Sequence, residues 1–132
     1  EARLDLHLLR LGQGKVDWEK VAAAFQHAEV MLYPGVSVGF RSPPLEAMAS
    51  GCPVLASVLP LHDEVLPPRC FLPATDSDQW VSAIMDVHAE WSRSGGAPRH
   101  VDDDILEIAK SSFGRAAHGR LLSEAYDLVC GR

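Results

Sequence analysis

VGFRSPPLEAMASGCPVLAS, residues Val38 to Ser57, carries four consecutive signals: a loop, a short helix, a stop and a strand. Ser42 offers an N-cap oxygen. Pro43 stands where its missing N–H costs nothing, because the first turn of a helix leaves its N–H groups unpaired. Leu45, Met48 and Ala49 supply an apolar stripe over about two turns, and Gly51 follows as a C-terminal stop. Pro53 to Ala56 is a short apolar run, the pattern of a strand covered on both faces.

The flanking sequence repeats this alternation. Upstream, Leu4 to Leu11 suits a strand ending in a turn at Gly12 and Gly14. Asp17 can cap a helix whose apolar positions Val21, Ala24, Phe25 and Ala28 follow helical spacing. Val30 to Tyr33 reads as a strand covered on both faces, ended by Pro34-Gly35. Downstream, Leu61 to Leu66 predicts a short helix and Arg69 to Leu72 a brief strand. Asp76 caps a longer helix, with Trp80, Ile84, Val87 and Trp91 on one side, ending near Gly95-Gly96. Ser92 to His100 looks like a flexible connection, followed by helices around Asp103 to Ser111 and about Arg115 to Val129. Strands alternating with helices predict an α/β fold, a parallel sheet with helices on both faces, because parallel strands need crossovers.

Composition narrows the function classes. A chain of 132 residues with 47% apolar content can build one core, so one domain is expected. Twelve basic against eighteen acidic side chains give a formal charge of −6, with no basic run to neutralise a phosphate backbone, so nucleic acid is not an expected partner. Cys52, Cys70 and Cys130 are odd in number and widely spaced among apolar residues, which suits buried free thiols in a reducing, cytoplasmic compartment. No apolar run approaches the roughly 20 residues that span a bilayer. The chain opens without a methionine, as a piece of something longer would.

In open parallel sheets ligands lie at the carboxyl ends of the strands, which places the turn from Tyr33 to Ser42 at the expected site. Gly35 and Gly39 are expected to take positive φ and admit a ligand closely. An anion there would use the N–H groups of Phe40, Arg41, Ser42 and Leu45, with the Arg41 guanidinium as a charged supplement, since Pro43 and Pro44 have no N–H. Glu46, one turn in, could accept hydrogen bonds from a pair of sugar hydroxyls. A structural reading competes. A first-turn glutamate is favourable by about 0.3–1 kcal/mol through the helix dipole alone, and from spacing alone that reading is the stronger.

Residue order shifts the balance. YPGVSVGFRSPPLEAMASGCPVLAS resembles the signature of the retaining GT-B glycosyltransferases of family 4, which usually reads P-S-x-x-E-G-F-G-L-P-x-x-E-A-M-A-x-G-x-P-V-V-A-S. The likeness continues in family order through LHDEV at Leu61 to Val65, FLPATDSDQWVSAI at Phe71 to Ile84 and the closing helix SFGRAAHGRLLSEAY. Upstream, VDWEKVAAAFQHAEVMLYP is similar to the helix and strand before the signature. The resemblance implies a Rossmann-like sheet, the partial C-terminal domain of a GT-B fold. It covers residues 1–132 as one partial donor-binding domain with a C-terminal helical segment at 101–130. It implies transfer of a hexosyl group from a nucleotide diphosphate sugar with retention, with no cofactor and no metal in the domain, the leaving diphosphate being met by preorganised donors. Glu46 matches the glutamate that binds the ribose hydroxyls. Gly39, Phe40, Arg41 and Ser42 match the segment that holds the donor sugar and diphosphate.

Two positions depart from that signature. The first glutamate of the family pair, eight positions before Glu46, is Val38 here, so the catalytic carboxylate of the family has no counterpart and no catalytic residue is assigned. The second glycine of G-F-G is Arg41, expected to turn toward the diphosphate, because a buried guanidinium needs an anionic partner.

The family's two preceding strand-helix units, with their basic pair, and its acceptor domain do not precede Glu1, so the chain alone is expected not to be competent. A missing N-terminal acceptor domain, or a partner chain carrying it, is the expected complement, and any peripheral membrane attachment is expected from that half. An incomplete sheet would expose an edge strand and favour self-association. A different class stays open: a non-catalytic binding or scaffold protein that kept the fold and lost the first glutamate. A generic α/β module without nucleotide is a third reading, since fold does not give function.

His7, His27, His62, His88, His100 and His118 are scattered, and none is assigned a catalytic role. Asp102-Asp103-Asp104 lacks the glycine and spaced carboxylates of a calcium loop and reads as a helix cap. Arg41→Ala is expected to weaken nucleotide diphosphate binding and flatten its salt dependence in a titration; unchanged affinity would remove Arg41 from the diphosphate.

Overall fold

The computed structural model describes residues 17–36, 43–60, 62–95 and 101–131. The expected strand at Leu4 to Leu11, the positions Val38, Gly39, Phe40, Arg41 and Ser42, and the 96–100 part of the connection lie outside them.

Helix α1 (Trp18–His27) leads into strand β1 (Met31–Tyr33), helix α2 (Pro43–Ala49) and strand β2 (Val54–Ser57). A 3-10 turn at Pro68–Cys70 then precedes strand β3 (Phe71–Leu72) and three helices: α3 (Ser77–Arg93), α4 (Asp103–Phe113) and α5 (Arg115–Cys130). The three strands form one parallel sheet in the order β1-β2-β3, with Leu32 opposite Leu55 and Ala56 opposite Phe71. Helices flank this sheet, as expected of a partial Rossmann-like α/β fold. No helix among the described residues is long and apolar enough to cross a membrane.

Three aspartates start three helices. The Asp17 carboxylate accepts from the Lys20 N–H at 3.4 Å, Asp76 from Gln79 at 3.1 Å and Asp102 from Ile105 at 3.1 Å. Each occupies an N–H that the first turn leaves unpaired. The acidic run at Asp102 is thus a cap, as its sequence implies.

The core gathers Phe25 of α1, Ala47 and Met48 of α2, Val54 and Ala56 of β2, and Ile105 and Ala109 of α4. All four residues of β2 are buried, while β1 is half-buried throughout. The expectation that β1 is covered on both faces is therefore too strong. Among the described residues β2 has neighbours on both edges, whereas β1 pairs only with β2.

Two further expectations need correction. Residues 62–66 form a hydrogen-bonded turn, with Leu66 N–H donating to His62 O at 2.7 Å, and not a helix. Pro67 and Pro68 stop it, because neither has an N–H and each disfavours helical backbone in the residue before it. The strand expected from Arg69 is shortened for the same reason. The Cys70 N–H turns back to Pro67 O at 3.0 Å, leaving only Phe71 and Leu72 for the sheet.

On α3 the stripe Trp80, Ile84, Val87, Trp91 exists but is only half-buried, so the tryptophans are rim and not core. Trp80 Nε1 donates to Pro73 O at 2.8 Å. His88 Nδ1 lies 3.0 Å from a Glu29 carboxylate oxygen and its ring packs 5.6 Å from Trp91, a tie between α3 and the residues just before β1.

The end of α2 closes the frame. Gly51 has φ 71°, its N–H donates to Met48 O at 2.9 Å, and the Cys52 N–H donates to Ala47 O at 2.9 Å. This pair of bonds around a left-handed residue is a Schellman stop. Gly51→Ala is expected to destabilise the fold by about 1–2 kcal/mol, the cost of left-handed backbone for a residue with a Cβ. Urea unfolding measures it, and an unchanged midpoint would mean that the turn can re-form another way.

Candidate functional site

Glu46 sits in the first turn of α2, which follows β1 and therefore starts at the carboxyl end of the parallel sheet. It is half-buried, and its carboxylate makes no hydrogen bond to a described residue, although its backbone carbonyl accepts from Ser50 Oγ at 2.9 Å. A cleft of about 330 Å³ opens beside it, lined by Leu45, Glu46 and Ala49 of α2 and by Ala109, Lys110, Phe113 and Gly114 at the α4–α5 corner. The walls are mostly apolar, with one acid and one base on the rim. Such a cleft suits a ligand that has hydroxyls to offer a carboxylate.

The corner is sharp because of Gly114, which ends α4 and begins α5. A Cβ there would sit 2.5 Å from Lys110 O, closer than any side chain can approach a backbone carbonyl. The corner lining is a contribution the sequence reading missed. Its signal was present in Ile105 and Ala109, which share one face of α4 at helical spacing and are both buried.

Of the positions expected to bind substrate, Glu46 lies at the carboxyl end of the sheet. Gly39, Phe40, Arg41 and Ser42, with Val38, fall outside the described residues. The expected positive φ at Gly35 is corrected: left-handed glycines among the described residues are Gly51, Gly95 and Gly131. What Gly35 provides is space, since a Cβ there would meet Leu59 Cδ1 and Tyr33 Cε1 at 3.4 Å.

A second polar group lies at the same end of the sheet. Ser57, the last residue of β2, is fully buried, and His62 is 5% exposed. His62 Nδ1 is 3.4 Å from Ser57 O, and its ring packs 5.4 Å from that of Tyr33, the last residue of β1. Ser57 Oγ and His62 Nε2 are both shielded from solvent and neither has a hydrogen-bond partner among the described residues. Leaving such groups unpaired costs about 1–3 kcal/mol each. Nothing in the spacing of the histidines singled out His62; only the return of the 62–66 turn to the sheet places it there.

The remaining charged cluster is structural. Arg69 donates two bonds to Asp102, at 2.7 and 2.8 Å, and Asp104 lies at 3.8 Å. These bonds to Asp102 raise the Arg69 pKa, against some loss from burial. Since the guanidinium is already met by carboxylates, the small cleft of about 110 Å³ beside it is no anion site. Next to it, burial pushes the Cys70 thiol up to about 11, only partly opposed by Arg69. Cys52 and Cys70 are buried as expected, but Cys130 is exposed, because α5 keeps only Ala117 buried.

The family described as Glycosyl transferases group 1 matches residues 10–90. The chain belongs to this family. Over 74 residues it is 34% identical to the O-antigen chain mannosyltransferase RfbU of Salmonella typhimurium (strain LT2), an alignment covering 55% of this chain and 21% of that protein. The chain thus spans about a fifth of the length of this curated relative. No solved structure matches. The matched region of this group 1 chain includes Glu46 and its helix, Ser57 and His62, and ends within α3.

The thiols give a direct check on burial. At pH 8 a thiol reagent is expected to modify Cys130 readily and Cys70 only on unfolding. Because the folded state holds the Cys70 proton more tightly than the unfolded chain, this contribution to stability is constant below about pH 9 and declines as pH rises toward about 11. Rapid modification of Cys70 in the folded protein would contradict its placement.

Proposed function

We propose that this chain is the donor-binding part of a GT-B glycosyltransferase that transfers a hexosyl group from a nucleotide diphosphate sugar with retention. The observation that carries the reading is Glu46. It matches the second glutamate of the family signature, stands at the carboxyl end of the sheet, and presents a carboxylate uncommitted to any described residue beside an open cleft. In this reading Glu46 accepts hydrogen bonds from the ribose hydroxyls. Gly39, Phe40, Arg41 and Ser42 hold the diphosphate and the sugar, with the Arg41 guanidinium against the phosphate charge. The domain comprises residues 1–132, with the helical segment 101–130 closing it, and acts together with an acceptor-binding domain. The relative's mannosyl activity makes mannose the first hexose to test.

A second reading is favoured by one specific observation, the valine at position 38 where the family has its first glutamate. A valine cannot accept a hydrogen bond from the donor sugar, so the chain would then be a binding or scaffold protein that keeps the nucleotide site without the chemistry.

Calorimetric titration with UDP, GDP and ADP, each repeated on Glu46→Ala, tests the donor site. One nucleotide is expected to bind saturably, and the variant to bind it at least tenfold more weakly, as loss of hydrogen bonds to a charged group of about 1.5–3 kcal/mol requires. Equal binding by Glu46→Ala would remove Glu46 from the site. Val38→Glu, in a chain joined to an acceptor domain, separates the two readings: gain of transfer fits a damaged enzyme, and no gain fits the scaffold.

A further inference from the structure

Among the described residues, the buried side-chain atoms left without a hydrogen-bond partner are Ser57 Oγ and His62 Nε2, and both are in one place. Ser57 ends β2, and His62 is held against it by the Nδ1 contact to Ser57 O and against Tyr33 at the end of β1. The pair therefore occupies the carboxyl ends of two adjacent parallel strands, where open α/β sheets take their ligands. Buried polar groups in native proteins are almost always paired, so two orphans together call for a common partner.

Their chemistry defines that partner. A carbonyl oxygen can only accept, so the contact to Ser57 O places a hydrogen on Nδ1, and in the tautomer that carries only that hydrogen Nε2 is an acceptor that lacks a donor. Ser57 Oγ has a hydrogen to give. A hydroxyl group serves both, donating to Nε2 and accepting from Ser57. An apolar group serves neither.

We propose that Ser57 and His62 bind a sugar hydroxyl of the donor, as a subsite separate from Glu46. This rests on the nucleotide-sugar reading above. A ribose and a hexose both carry such hydroxyls, and the test tells them apart.

The full chain and its Ser57→Ala and His62→Leu variants are titrated with UDP-glucose, ADP-glucose and GDP-mannose and with the free diphosphates, and each protein is melted. Ser57→Ala deletes only an unpaired buried polar atom and is expected to melt at or above the temperature of the parent chain, whereas His62→Leu also gives up the Nδ1 contact to Ser57 O and is expected to melt no higher than the parent. Binding of the preferred nucleotide sugar is expected to weaken about tenfold. Weakening confined to the nucleotide sugar assigns the hexose hydroxyl, and equal weakening for the free diphosphate assigns the ribose; either supports the subsite. Parent-like affinity in both variants overturns it and leaves an ordered water as the partner. If the parent chain binds no nucleotide, the donor reading itself fails and this subsite with it. A His62→Leu chain that does not fold leaves the decision to Ser57→Ala and to the His62 Nε2 nitrogen resonance of the parent chain, which should move on addition of the nucleotide sugar; a stationary resonance overturns the proposal.

Discussion

The turn Gly51-Cys52-Pro53 holds the molecule together, because three separate elements spend backbone hydrogen bonds on it. Cys52 N–H ends α2 by donating to Ala47 O, and Gly51 O accepts from Asp102 N–H at 2.9 Å at the start of α4. Pro53 O accepts from Met31 N–H at 2.7 Å, bringing β1 beside β2. All of this depends on one residue with φ 71°, a backbone that only glycine adopts without strain. Asp102 then extends the junction outward, capping α4 and pairing with Arg69 beside β3.

That junction is at the opposite end of α2 and β2 from the proposed donor site. The amino ends of the strands are thus closed by hydrogen bonds, while the carboxyl ends carry Glu46, Ser57, His62 and Tyr33, with Ser57 Oγ and His62 Nε2 left without a hydrogen-bond partner among the described residues. The division follows from parallel topology. With every strand pointing the same way, one edge collects the helix ends that are stapled together and the other collects the loops, where side chains can be presented to a ligand. The cleft beside Glu46 has its second wall at the α4–α5 corner because Gly114 lets that corner pass over Lys110 O.

The group 1 family match and the departures at Val38 and Arg41 involve residues under different constraints. The matched residues 10–90 include the apolar positions, caps and turns that build the sheet and α2. Val38 and Arg41 depart from the resembled signature at positions that the proposed function assigns to the donor. A chain can keep the first set, which stability enforces, while changing the second, which only the reaction enforces.

Local signals in the chain were enough to determine the caps at Asp17, Asp76 and Asp102, the stop at Gly51, the burial of β2 and the position of Glu46 one turn into α2. Each of these is settled by residues within about one helical turn or one strand of one another, so their order in sequence is also their arrangement in space. The 62–66 helix and the full strand from Arg69 failed for an equally local reason, the prolines at 67 and 68, whose effect outweighed the apolar pattern. Tertiary structure alone decided three things: that Lys110 and Phe113 face Glu46 across a cleft, that Cys130 is left exposed, and that His62 is buried against Ser57 and Tyr33. These depend on which helix lands on which face and how far a turn folds back. That outcome is set by the packing of Ile105, Ala109 and Leu66 into one core, and no spacing along the chain encodes it.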